Sequence, residues 1–180
     1  MDAFGAHNRF LGVEVSQPML EAARERFGRW EGATNWYGQP LVEVRNLDLR
    51  TDYPPERCSL TLCVLTLQFV PIEHRLKVVR SAFKHTVPGG ALILVEKVLG
   101  ASADLDATMV ELYHQHKLEA GYSQDEIDRK ALSLEGVLVP LTAEWNERML
   151  RINSVILLPH VKMSSKDRPV ASPEMSSNTP

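Results

Sequence analysis

The run from Ser59 to Lys97, SLTLCVLTLQFVPIEHRLKVVRSAFKHTVPGGALILVEK, constrains the fold more than any other part of this chain. An apolar stretch leads into a helical pattern, a Val-Pro-Gly-Gly break follows, and a second apolar stretch runs from Ala91 to Val95. Strands without polar alternation are those buried on both faces. A strand–helix–strand unit of this length implies a parallel pair with a right-handed crossover. The fold class is therefore α/β. In open α/β sheets the ligand lies outside the carboxyl ends of the strands, so function is expected at Leu65 to Phe69 and at Glu96 to Leu99.

The flanking segments extend that pattern. Arg9 to Val15 reads as a strand, and Ser16 then caps a helix whose first turn holds Pro18, where a missing N–H is harmless. Leu20, Ala23, Phe27 and Trp30 recur at helical spacing, so this helix buries one stripe. Leu41 to Arg45 alternates as a half-buried strand does and ends at Asn46-Leu47-Asp48. The helix after Phe69 is expected to turn Leu76, Val79 and Phe83 inward and to end before Pro88. After Glu96, Leu105, Met109, Leu112 and His116 share a helical face, Gly121 stops that helix, and Ser123 to Glu126 forms a capping box for the next. Thr142 to Leu150 completes the helices, and Ile152 to Leu158 resembles one more strand.

Composition narrows the classes. The chain has 180 residues, 44% hydrophobic, enough for one domain with a core. A net charge of −3 and a pI of about 6.1 give no global basic field, so neither direct nucleic-acid binding nor recruitment to an anionic membrane is expected. Cys58 and Cys63 lie on or beside a buried strand and read as reduced core thiols, which suits a cytoplasmic protein. No metal site is expected: His114 and His116, two apart on a helix, face different directions. No apolar run is long enough to span a membrane. From Met163 to Pro180 there are five serines, three prolines and no Leu, Ile, Phe, Tyr or Trp. Such a segment cannot bury enough to offset the entropy of ordering. The domain is therefore placed at residues 1–160 and a disordered tail at 161–180.

Two acidic residues end strands. Glu14 is placed where a carboxylate accepts both hydroxyls of a ribose, its two oxygens matching a vicinal diol. The same residue serves equally as an acid at a helix N-terminus, with no ligand at all. Asp48 could take the exocyclic amine of adenine, with Leu49 offering its backbone N–H, or could simply close a turn toward Arg50.

Thr66-Leu67-Gln68-Phe69, Pro88-Gly89-Gly90-Ala91-Leu92, Glu96-Lys97 and Gly121-Tyr122-Ser123 with Glu126-Ile127 are familiar in this order and spacing. From about Leu11 to about Arg151 the chain resembles the carboxy-S-adenosylmethionine synthase family. This is the tRNA (cmo5U34)-methyltransferase-like branch of the class I S-adenosylmethionine-dependent methyltransferase superfamily. The resemblance implies a Rossmann-like sheet, S-adenosylmethionine as cofactor and a homodimer. It assigns the ribose-binding acid to Glu14 with Val15 beside it, and the adenine contacts to Asp48 and Leu49. At Val64 the family has an asparagine that helps hold the cofactor. Valine packs but does not donate, a loss of about 1 kcal/mol. The family's arginine for the extra carboxylate of carboxy-S-adenosylmethionine falls on Ala131. Alanine makes no ion pair, which favours plain S-adenosylmethionine over the carboxylated form.

The superfamily's Asp/Glu-x-Gly-x-Gly loop has no counterpart, and about ten residues precede the strand of Glu14. The expectation is thus a partial class I sheet lacking its first strand and glycine loop, as from a truncated gene, a wrong start site or a remnant. Such a sheet either pairs its flanking strands directly or leaves edges open. Two functions compete: an S-adenosylmethionine-binding methyltransferase-family protein with impaired or altered activity, and a non-catalytic module that acts through exposed strand edges.

Overall fold

The computed structural model describes residues 7–152. The expected strand at Ile152 to Leu158 and the expected disordered tail lie largely or wholly outside the described residues.

The chain begins with β1 (Phe10–Glu14), α1 (Gln17–Phe27) and β2 (Val42–Asn46). β1 and β2 pair in parallel from Phe10 opposite Val42 to Glu14 opposite Asn46. α1 starts where the sequence places it, with Pro18 in its first turn and Leu20 fully buried. Ser16, however, makes no side-chain cap, and the carboxylate of Glu14 instead accepts the N–H groups of Val15 and Ser16 just before the helix.

The central unit is β3 (Cys58–Val64), α2 (Ile72–His85) and β4 (Thr86–Val95), with β3 and β4 paired in parallel. The Val-Pro-Gly-Gly segment, expected to separate two elements, is instead a bulge inside β4. Cys58 pairs with Thr86 but Leu60 with Ala91, so extra residues are pushed out of the ladder. Gly90 is required there. A Cβ at this position would stand 2.6 Å from Thr86 Cγ2 and 2.7 Å from the Ser59 carbonyl oxygen.

The remaining elements are β5 (Val98–Leu99), α3 (Ala103–Glu119), α4 (Gln124–Leu134), β6 (Leu141–Thr142) and α5 (Ala143–Ile152). β5 pairs with β6 in parallel. Ser123 and Glu126 form the expected capping box. Among the described residues α3 buries none of its own, so the face shared by Leu105, Met109 and Leu112 stands open rather than in a core.

The hydrophobic core lies on one side of the β3–β4 ladder. Cys63, Leu67, Val78, Val79, Met149 and Leu150 are buried together, with Leu49, Leu92 and Leu94 packed against them. α2 is rotated from its expected setting: Arg75, Val78, Val79 and Ala82 are buried, whereas Phe83 is exposed. The inward place near the helix start goes to a cation that serves three carbonyls there. Arg75 donates to the carbonyl oxygens of Val70 (2.7 Å), Val139 (2.7 Å) and Gln68 (3.4 Å). Burial lowers its pKa from the usual guanidinium value.

The other side of the ladder departs from the expectation of burial on both faces. Leu60, Leu62, Val64, Ile93 and Val95 are exposed there, because no described element packs over them. The ladders also remain separate: β1 pairs with β2 and β3 with β4, while β1 and β3 do not join. Among the described residues the facing edges of β1 and β3 are therefore left open. An ionic cluster ties the first unit to the second. Arg9 pairs with Glu43 at 2.6 Å, and Arg45 pairs with Glu43 and, at 2.6 Å, with Glu56 just before β3. Arg45, followed by Arg9, holds the Glu43 carboxyl down to about 2.

Candidate functional site

Glu14 and Asp48 both lie at the carboxyl ends of the neighbouring strands β1 and β2. Glu14 is itself the last residue of β1, opposite Asn46, and Asp48 follows two residues after that partner. Neighbouring strands are about 4.8 Å apart. The two carboxylates are thus borne at the same end of one parallel pair.

In the structure both carboxylates have local partners. Glu14 accepts the backbone N–H groups of Val15 and Ser16 at 2.8 Å each, both on Oε1. Asp48 is bonded through both oxygens to the Arg50 guanidinium and accepts the Arg50 N–H at 2.9 Å. Arg50 beside it holds the Asp48 carboxyl down to about 2. These are the helix-terminus and turn roles that both residues can fill without a ligand. The Asp48–Arg50 pair is largely solvent-exposed, where ion pairs are weak, so it presents only a small barrier to exchange for another donor. Val15 is exposed, and Leu49 is turned toward the core. Val64 belongs to the other ladder and stands on its open face.

A second group of residues gathers at the carboxyl ends of β3 and β4. Leu65, just past β3, has φ of 52°, alone among the described non-glycine residues in being positive. Its N–H donates to the carbonyl oxygen of Val95. The next three amides all donate to Glu96: Thr66 at 2.9 Å and Leu67 at 2.7 Å to Oε1, Gln68 at 3.0 Å to Oε2. Gln68 is buried, and its Oε1 accepts the Lys97 N–H at 3.1 Å. Cys63, beneath this turn, has its thiol pushed up to about 11 by burial and then by the nearby Glu96 carboxylate. The strand-end rule led to these two segments, but the sequence did not reveal that Glu96 serves the Thr66–Gln68 turn. The pertinent sign was a buried-type position, Gln68, filled by an amide between two large apolar residues.

Ala131 lies on α4 beside an open depression of about 480 Å³ that Lys97, Leu132, Leu134, Glu135 and Leu138 also line. Lys97 comes from the end of β4, and its Nζ lies 5.0 Å from the Tyr113 ring. His114 is half-buried, and His116 is exposed and faces Glu119 at 3.3 Å.

Parallel strand pairs with crossover helices, and acidic residues at the carboxyl ends of the strands, define an α/β protein. A methyltransferase-domain family model matches residues 1–94, and the chain belongs to that family, whose class I α/β fold these elements fit. Among its relatives is a carboxy-S-adenosyl-L-methionine synthase of Wolinella succinogenes, 37% identical over 147 residues, covering 81% of this chain and 58% of the relative. The protein of that name from Methylococcus capsulatus is 37% identical over 78% of this chain and 55% of its own length. The one from Staphylococcus epidermidis is 41% identical over 55% of this chain and 43% of its own length. The chain thus spans about half the length of the curated relatives it matches.

Proposed function

We propose that this chain binds S-adenosyl-L-methionine as a methyltransferase-family module, holding the nucleoside half at the carboxyl ends of β1 and β2. The observation that supports this most is the placement of Glu14 and Asp48 on adjacent parallel strand ends. Glu14 uses Oε1 to order the start of α1, and its Oε2 accepts a ribose hydroxyl. Asp48 exchanges Arg50 for the adenine amine, an exchange of one exposed donor for another. Leu49 contributes its backbone N–H, and Val15 and Val64 contribute apolar contact only. When bound, the cofactor supplies an electrophilic methyl on its sulfonium. The residues named here bind and orient it, and no general base is assigned among them.

The sequence given holds no Asp/Glu-x-Gly-x-Gly loop to approach the methionine half, and for this stretch of chain we propose weak affinity and impaired or altered activity. Ala131 offers no charge to a carboxylated cofactor, which favours the plain form. The compartment proposed is the cytoplasm and the assembly a homodimer, as the resemblance implies. Nucleic acid and membrane are not proposed as partners. No helix among the described residues is long and apolar enough to cross a membrane.

The second reading is a non-catalytic module that pairs with another chain through its strand edges. The open edges of β1 and β3 and the apolar face of the β3–β4 ladder favour it. Calorimetric titration of the purified chain with S-adenosylhomocysteine separates the two. Saturable binding that Glu14→Ala and Asp48→Ala abolish supports the first, and absence of binding leaves the second.

A further inference from the structure

The turn that follows β3 is held by an uncommon arrangement. A non-glycine residue at positive φ is disfavoured by the contact of its Cβ with the backbone. Leu65 adopts this conformation at φ of 52°. Its neighbours compensate: three consecutive N–H groups, of Thr66, Leu67 and Gln68, converge on the single carboxylate of Glu96. Hydrogen bonds to an ionised acceptor are stronger than those between neutral groups. Three of them from successive residues leave the turn little freedom. Glu96 itself sits immediately after β4, so the clamp links the carboxyl ends of both strands of the ladder.

We propose that Glu96 is a positioning residue: its carboxylate holds Leu65 in the left-handed conformation and thereby sets the geometry of the Val64–Gln68 turn where the cofactor is to be met. The inference rests on the proposed function for its ligand, but the clamp itself is a property of the free chain. Without the carboxylate, Leu65 relaxes toward negative φ and the turn swings as a unit, since Thr66 to Gln68 follow it. Gln68 then withdraws its side chain from the Lys97 N–H and its carbonyl from Arg75 and Val139.

The test compares the full chain with Glu96→Gln, Leu65→Gly and the double variant. Nuclear magnetic resonance follows the amides of Thr66, Leu67 and Gln68 and the carbon shifts of Leu65. Calorimetry measures S-adenosylhomocysteine. In Glu96→Gln the three amides exchange at least tenfold faster and the Leu65 shifts leave the left-handed range, while the amides of Val13 and Val44 in β1 and β2 are unchanged. The nucleoside's affinity falls at least tenfold. Glycine tolerates positive φ without penalty, so in the Leu65→Gly background the same Glu96→Gln change costs less than half as much on a logarithmic scale. Equal costs in the two backgrounds, or unchanged exchange in Glu96→Gln, overturn the inference. If Glu96→Gln fails to fold, Glu96→Asp, with the charge retained and the reach shortened, is read in the same way. A wild type that takes up no S-adenosylhomocysteine overturns the proposed function alone, and amide exchange still decides the clamp.

Discussion

The two faces of the β3–β4 ladder have nearly the same amino-acid character and opposite fates. On one, Cys63, Leu92 and Leu94 meet α2 and α5 and form the core. On the other, Leu60, Leu62, Val64, Ile93 and Val95 remain 46–62% exposed. The strands carry the composition of a sheet covered twice, and the described chain covers it once. Strand composition therefore reports what a sheet is made to be packed against, not whether the same stretch of chain supplies the packing. The difference also assigns energies. Burial contributes roughly 25 cal/mol per Å² of apolar area removed from water, so most of the stability should reside on the covered face.

That contrast gives the largest expected effect. Leu67, fully buried, replaced by alanine should lose about 2–5 kcal/mol of unfolding free energy. Leu62→Ser on the open face should lose less than about 0.5 kcal/mol and should reduce any self-association. Urea unfolding of both variants measures it. Equal losses would mean that the open face is covered in solution.

Next comes the bulge that lets both strands run in register. Gly90→Ala places a Cβ against Thr86 and the Ser59 carbonyl, and overpacking of this kind costs about 1–3 kcal/mol. Thermal melting should show a clear fall for Gly90→Ala. A neutral result would show that the bulge yields easily and that the register is not held there.

Titration of Cys63 probes the covered face without mutation. Burial favours the neutral thiol and raises its pKa from 9.0 to about 11. The contribution of this group is present in full below pH 9.0 and is lost as pH rises through about 11, because the unfolded chain releases its proton first. Iodoacetamide should therefore modify half-buried Cys58 well before Cys63 at pH 8, and Cys63 should become reactive only toward the upper value. Rapid modification of Cys63 at pH 8 would contradict its placement in the core.

The smallest effect concerns selectivity. With Ala131 in place, carboxy-S-adenosylmethionine should bind no better than S-adenosylmethionine, and Ala131→Arg should shift preference toward the carboxylated form. Competition binding measures both. A wild type favouring the carboxylated form tenfold, about 1.4 kcal/mol, would point to another cation, and Lys97 on the same depression would then be the residue to replace.

Much of the fold was legible because its signals are local. The capping box at Ser123 and Glu126, Pro18 in the first turn of α1 and the alternation in β2 depend on a few neighbouring residues, and each element forms as expected. What could not be read depends on distant partners. Arg75 displaces Phe83 from the inner side of α2 because it serves a carbonyl at Val139, 64 residues away. The glycines after Pro88 read as a break because the strand opposite, which turns them into a bulge, is not visible from their own segment. The candidate site divides in the same way. Glu14 and Asp48 were legible as strand-terminal acids, whereas the clamp of Glu96 on residues 66–68 joins segments about thirty positions apart.

The central claim is that the β1–β2 end holds a nucleoside site. Calorimetric titration with S-adenosylhomocysteine, on the wild type and on Glu14→Ala and Asp48→Ala, tests it most directly. One site per chain is expected, with a dissociation constant weaker than about 1 μM, or −8.2 kcal/mol, and each substitution should weaken it at least tenfold, or about 1.4 kcal/mol. No binding by the wild type, or tight binding indifferent to both substitutions, would contradict the claim.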